Sequence, residues 1–174
     1  MNIPATPIAT TQAAGFLPEC LSALAAGPDW APDPDTATIE RLAPHIFVLE
    51  CQAGAPPIYR CAGRAIQAAL GFDPCGEGFY QGWNVEAPAI LQPYFDRSAQ
   101  CHWAFRLSSF GPGPDARQHH FETVLIPVLS DDPGKSCFIG ISLMQRDSRP
   151  ETGPQGTGQQ LEQVSYLGEG GPMS

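Results

Sequence analysis

Two strand-like segments, HIFVLEC (45–51) and PIYRCAG (57–63), flank the turn-rich QAGAPP, and each carries one charge among apolar residues. A strand turns alternate side chains to opposite faces, so a single charge per strand marks a solvated face and leaves the other face for a core. Opposite charges favour facing positions, which pairs Glu50 with Arg60, Leu49 with Cys61 and Cys51 with Tyr59. Phe47, Leu49, Cys51, Tyr59 and Cys61 then share the inner face. Cys51 and Cys61 fall diagonally, about 7–8 Å apart, too far for an unstrained disulfide. HWAFRLSSF (102–110) and RQHHFETVLIPVL (117–129), joined by GPGPDA, repeat the device with Arg106 opposite Glu122. Their inner face carries Trp103, Phe105, Leu107, Phe121, Thr123 and Leu125. A fifth strand, SCFIGISLM (136–144), follows the turn signal SDDPGK. It alternates Ile139, Ile141 and Leu143 against Phe138, Gly140 and Ser142, and we assign Ile139 to the inner face and Phe138 to the outer.

Between the hairpins the pattern changes to helical. RAIQAALG (64–71) places Ile66, Ala69 and Leu70 on one stripe and stops at Gly71. FDPCGEGFYQGW (72–83) is a glycine-punctuated loop. VEAPAILQPYFDRSAQ (85–100) spaces Ile90, Leu91, Tyr94 and Phe95 as an amphipathic helix that Pro93 kinks or restarts. Ahead of the first strand, FLPECLSALAAG (16–27) and TATIERLAP (36–44) read as short helices, the second stopped at Pro44. One sheet with a charged face, and helices over the other, is the economical packing of this order.

With 174 residues, 43% of them hydrophobic, the chain can bury one core. Residues 1–15 form a flexible N-terminus, 16–146 the domain, and 147–174 a disordered acidic tail too rich in Gly, Pro, Gln and Ser to offset its ordering entropy. Within that tail LEQVSYL (161–167) spaces apolar residues three apart and reads as a short docking helix or frayed chain. The net charge of −9 lies mostly in the two ends, and Lys135 is the only lysine. Such a chain has no phosphate-binding surface, so nucleic acid is not expected as a partner. No basic start precedes an apolar run and no segment reaches the ~20 apolar residues of a membrane span, so a cytoplasmic protein is expected, without a membrane partner. The six cysteines form no CxxC pair and read as free, mostly buried thiols.

Three stretches, PHIFVLECQAGAPPIYRCAGRAI, ALGFDPCGEGF and FETVLIPVLSDDPGKSCFIGISL, resemble a family of small bacterial stand-alone PAS-like proteins, over about residues 30–146. The resemblance implies an α+β, PAS-like fold: a five-stranded antiparallel sheet of order 2-1-5-4-3 with short helices on one face. It implies sensing, ligand binding or protein association and no single cofactor. The group held stays unknown, with haem or a small metabolite as the options the family offers.

The cavity between sheet and helices is then the default site. Its candidate lining is Phe47, Leu49, Tyr59, Trp83, Leu91, Phe95, Trp103, Phe105, Leu125 and Ile139, and the plainer expectation is that these side chains fill a core. Arg60 belongs to a surface ion pair; a register shifted by one residue would turn it inward, where it could hold an anion. His45, His102, His119 and His120 are the haem or metal candidates, but His119 and His120 point to opposite faces of one strand and cannot share a metal. Cys75 in DPCGEG does not reproduce the photochemical cysteine motif of PAS relatives. No GxSxG occurs, and GPQGTG and GEGG do not follow a strand. The expected function is a non-catalytic sensory or adaptor module of bacterial signalling, with no catalytic residue and no metal site. A small α+β cavity enzyme or a haem-binding sensor is the alternative. A protein partner, including a second copy, would meet the outer sheet face at Ile46, Val48, Val124, Ile126 and Phe138.

Overall fold

The computed structural model describes residues 40–52, 54–113, 117–128, 134–146 and 158–167. The expected helix at 16–27 and the N-terminus before it lie outside these. Alternation builds the sheet as the sequence suggests. In β1 (Ile46–Gln52) Phe47, Leu49 and Cys51 are buried on the inner face, and Ile46, Val48 and Glu50 are half-buried on the outer. β2 (Ile58–Ala62), β3 (Phe105–Pro112), β4 (Gln118–Val128) and β5 (Lys135–Arg146) follow, all antiparallel to their neighbours. Two helices cover the inner face: α1 (Arg64–Leu70) and α2 (Ala87–Cys101). The expected order 2-1-5-4-3 is present, with a sixth strand added beside β3 to give β2-β1-β5-β4-β3-β6.

β6 (Gln160–Tyr166) corrects the reading of 161–167 as helix or frayed chain and, over its own span, that of a disordered tail at 147–174, of which 147–157 and 168–174 lie outside the described residues. Val164 lies opposite Leu107, Leu161 opposite Ser109 and Tyr166 opposite Phe105, and all three apolar side chains pack on the core. Tyr166 stacks on Tyr94 of α2 with ring centres 4.8 Å apart. A bulge lets spacing of three serve a strand whose period is two.

Both charge pairs form, but not in the expected registers. Leu49 faces Tyr59 and Glu50 faces Ile58, while Val48 faces Cys61, which leaves Arg60 as the extra residue of a bulge. Arg60 still donates to Glu50 Oε1 at 2.5 Å, reaching diagonally, and its guanidinium holds the Glu50 carboxyl below its ordinary pKa. The bulge turns Cys61 outward, so the reading of Cys61 as an inner residue is wrong. In the second hairpin Arg106 faces Val124 and Ser108 faces Glu122, two residues from the expected pairing, and Arg106 Nε reaches Glu122 Oε2 at 2.7 Å. A shift of two keeps every side chain on its own face.

In β5 the assignment is reversed: Phe138 is fully buried on the inner face opposite Leu49, and Ile139 points outward opposite Val48. Gly140 fixes this parity, because Phe47 lies across it so closely that a Cβ would stand 2.1 Å from Phe47 Cζ. Gly71, at φ 80°, ends α1 in the left-handed region and donates to the Gln67 carbonyl. α2 runs through Pro93 as one helix, and its first backbone N–H, of Ala87, is bonded to Asn84 Oδ1 at 2.9 Å.

The loop after α1 also seals the other end of the sheet. Tyr59 donates to the Glu77 carbonyl at 3.0 Å, Gly76 to the Tyr59 carbonyl at 2.8 Å and Phe79 to the Pro57 carbonyl at 2.7 Å, so backbone bonds cover the free edge of β2. No helix among the described residues is long and apolar enough to cross a membrane.

Phe95 packs edge-on against both Phe105 and Phe138, with ring centres 5.1 Å apart in each case. Phe95→Ala is therefore expected to lower unfolding stability by about 3–5 kcal/mol in urea titration. A loss below about 1 kcal/mol would show that α2 is not anchored by this ring.

Candidate functional site

The inner face has two halves, and side-chain volume distinguishes them. Beneath α2, Leu91 and Phe95 fill the space against Leu49, Phe105, Leu125 and Phe138, all at 1% exposure or less. Beneath α1 the helix offers Ala65, Ala68 and Ala69, and Ile66 is its only buried residue. The sheet and helix cannot close over such short side chains, and a cavity of about 490 Å³ remains. Its apolar walls are Phe47, Tyr59, Ile66, Phe79, Trp83 and Phe121, and the partly exposed Leu70 and Phe72 also border it. This volume lies in the range of small-molecule sites, about 300–1,000 Å³.

Polar groups reach the cavity at few points. Thr123 Oγ1 donates to Ser142 Oγ at 2.8 Å, and Gln159 Nε2 donates to Ser109 Oγ at 2.7 Å. His45, Gln81 and Gln145 complete the polar lining. Among the described residues that line the cavity there is no carboxylate, lysine, arginine or cysteine. Burial pulls the His45 imidazole below its ordinary pKa of 6.5, with a backbone bond to Ser142 opposing and the Arg64 charge adding to the effect. Burial also pushes the Tyr59 phenol up. The described lining is therefore uncharged at neutral pH.

Of the candidate lining residues, Phe47, Tyr59 and Trp83 border this space. Leu49, Leu91, Phe95, Phe105 and Leu125 lie in the filled core beside it. Trp103 is half-buried and packs edge-on against Tyr166, with Arg97 over its ring. Ile139 is on the opposite face. Of the interface candidates, Ile46, Val48, Val124 and Ile126 lie on the outer face, but Val124 is fully buried there, and Phe138 is inside. Sequence reasoning missed Ala65, Ala68, Ala69, Phe79 and Gln159. The run of small residues in RAIQAAL was the one available signal for the first three.

The histidines are dispersed. Only His45 lines the cavity. His102 caps α2 at φ 56° in the left-handed region. His119 is buried on the inner face, against which Gly113 packs too closely to admit a Cβ. His120 lies on the outer face with Nε2 3.3 Å from Glu122 and 3.4 Å from Glu162. Among the described residues no three His, Cys, Asp or Glu side chains gather as a metal site. Arg60 is exposed and does not reach the cavity. Cys75 is exposed, with its Sγ 3.0 Å from the Arg60 carbonyl, whereas Cys51 is buried and its thiol is pushed up to about 12.

A family model described as a PAS domain matches residues 28–143. No curated protein matches the chain. Among solved structures, a fungal LOV domain photoreceptor is 13% identical, with a TM-score of 0.44, and the match covers 72% of this chain and 88% of that one.

Because the folded-state pKa of His45 lies below the unfolded value, the unfolded chain takes up the proton first as pH falls. Stability is unaffected above the ordinary pKa and declines below it. Lowering the pH from about 7 to about 5 should thus depress the urea midpoint of the wild type more than that of His45→Gln. Parallel curves for the two proteins would remove His45 as the buried titrating group.

Proposed function

The chain belongs to the PAS domain family, and from that premise we propose that it is a non-catalytic sensory module that binds a small neutral molecule beneath α1 and passes its state on by protein association. The observation that carries this reading is the division of the inner face into a filled half under α2 and an open half under α1. A core that merely tolerated poor packing would lose stability for nothing, since voids of this size cost contacts along their whole lining. The chemistry of the lining supports a largely apolar ligand with one or two neutral hydrogen-bonding groups, for which Gln81, Gln145 and Gln159 are the natural partners. An anion would find no cation among the described lining residues. The same uncharged lining supports a binding role over catalysis: among the described lining residues His45 and Tyr59 are the only titratable groups, and neither has a carboxylate partner there.

For output, the outer sheet face supports association through Ile46, Val48, Ile126 and Ile139, which are half-buried, and Val128, which is 39% exposed. A second copy of the chain is the simplest partner for such a face.

Native mass spectrometry of freshly purified protein tests both parts. Bound mass that disappears on denaturation, and is absent from Ala69→Trp, whose indole would occupy the space, is the expected result. Bare wild-type protein that also fails to take up apolar probes would overturn the ligand reading. A dimer that is lost in Ile126→Glu is expected for self-association, and a monomer at all concentrations would remove the second copy as partner.

A further inference from the structure

Residues 158–167 lie beyond the stretch 28–143 that matches the family model, yet they complete the cavity. Gln159 is a lining residue, and its backbone is bonded on both sides to the loop that forms the neighbouring wall. Its N–H donates to the Gly82 carbonyl at 2.6 Å, and its carbonyl accepts from Asn84 at 2.9 Å. Gly158 crosses that loop so closely that a Cβ would stand 2.8 Å from the Gly82 carbonyl oxygen. Gln159 also fits tightly over β3, where a Cβ on Gly111 would meet its Cα at 3.2 Å. Further along, β6 is held from the outer face, where Glu162 accepts from Ser108 at 3.1 Å and lies 3.4 Å from His120 Nε2.

We infer that residues 158–166 are a strap whose docking on β3 and on the Gly82–Asn84 loop is coupled to occupancy of the cavity. The inference rests on the reading of that cavity as a ligand site. A molecule touching Gln159, Gly82 and Trp83 meets a complete wall only when the strap is docked, so it binds that state more tightly. Coupling is reciprocal: whatever factor strap docking adds to ligand affinity, the bound ligand adds to strap docking. Glu162 offers a way to loosen the strap without touching the cavity, because its carboxylate is on the far side of the sheet and is not a lining residue.

The test uses the full chain and the neutral apolar fluorophore N-phenyl-1-naphthylamine as probe, with amide hydrogen exchange read over residues 161–166. Saturating probe is expected to slow exchange in this segment of the wild type by about tenfold. Glu162→Ala and Gly158→Ala should speed exchange there, and saturating probe should slow it in these variants by the same factor of about ten as in the wild type. Unchanged exchange in β6 with probe bound, in the wild type or in Glu162→Ala, would overturn the coupling. Failure of the ligand reading has a different signature, namely no probe binding to the wild type or equal binding to Ala69→Trp. In that event the filled cavity of Ala69→Trp itself reads the coupling: slower β6 exchange upholds it, and unchanged exchange rejects it.

Discussion

Phe95 descends from α2 and meets Phe105 and Phe138 edge-on, while its other side touches Phe79 at 5.6 Å. Edge-to-face contacts of this kind add to the burial of large apolar area, so one ring ties a helix, two strands and a loop together. Phe79 in turn meets Phe47, Tyr59 and Trp83 within 6.3 Å, which carries the same aromatic contact to the rim of the cavity. Once α2 is fixed at this height above the sheet, α1 cannot lie closer than the shared layer allows. Its alanines then leave the space that leucines would have filled. The cavity is thus a consequence of where the bulk was placed as much as of where it was omitted.

The sheet's margins follow a common logic. An unpaired strand edge invites association with other chains, and the five-stranded arrangement has two such edges. Backbone bonds from the loop around Gly76–Phe79 cover β2, and β6 covers β3. Both covering segments also border the cavity, through Phe79 and Gln159. Edge protection and enclosure of the cavity are therefore carried out by the same stretches of backbone.

Much of this architecture was legible from alternation. The faces of β1, β3 and β4 followed from apolar residues two apart, and the two ion pairs were found because each strand carried one charge on its solvated side. The registers were not legible, because long side chains such as Arg60 and Arg106 reach diagonally, and a pairing two residues away satisfies the same charges. β5 misled for a different reason: Phe138, Ile139 and Ile141 are apolar on both faces, so hydrophobicity carries no parity there. Gly140 held the answer, since only a residue without a side chain can lie beneath Phe47. β6 was missed because its partner strand is far away in sequence and a bulge breaks its period. A cavity between sheet and helices was expected, but its place under α1 was not, because the alanines of RAIQAAL were the only hint of the space they leave.

The pairing of β6 with β3 brings together distant parts of the chain, and even the side chains of Ser108 and Glu162, bonded across it, are 54 positions apart. A loop of that length closes late and at an entropic cost that local hairpins avoid. During synthesis, β3 can pair with β4 almost as soon as both are made, but its other edge stays bare until Tyr166 has left the ribosome. Over that interval the nascent domain has a core yet lacks one wall of its cavity. The cavity consequently gains its last wall only after residues 158–166 have been made, and until then the bare β3 edge is the point at which the chain is most exposed to pairing with its neighbours.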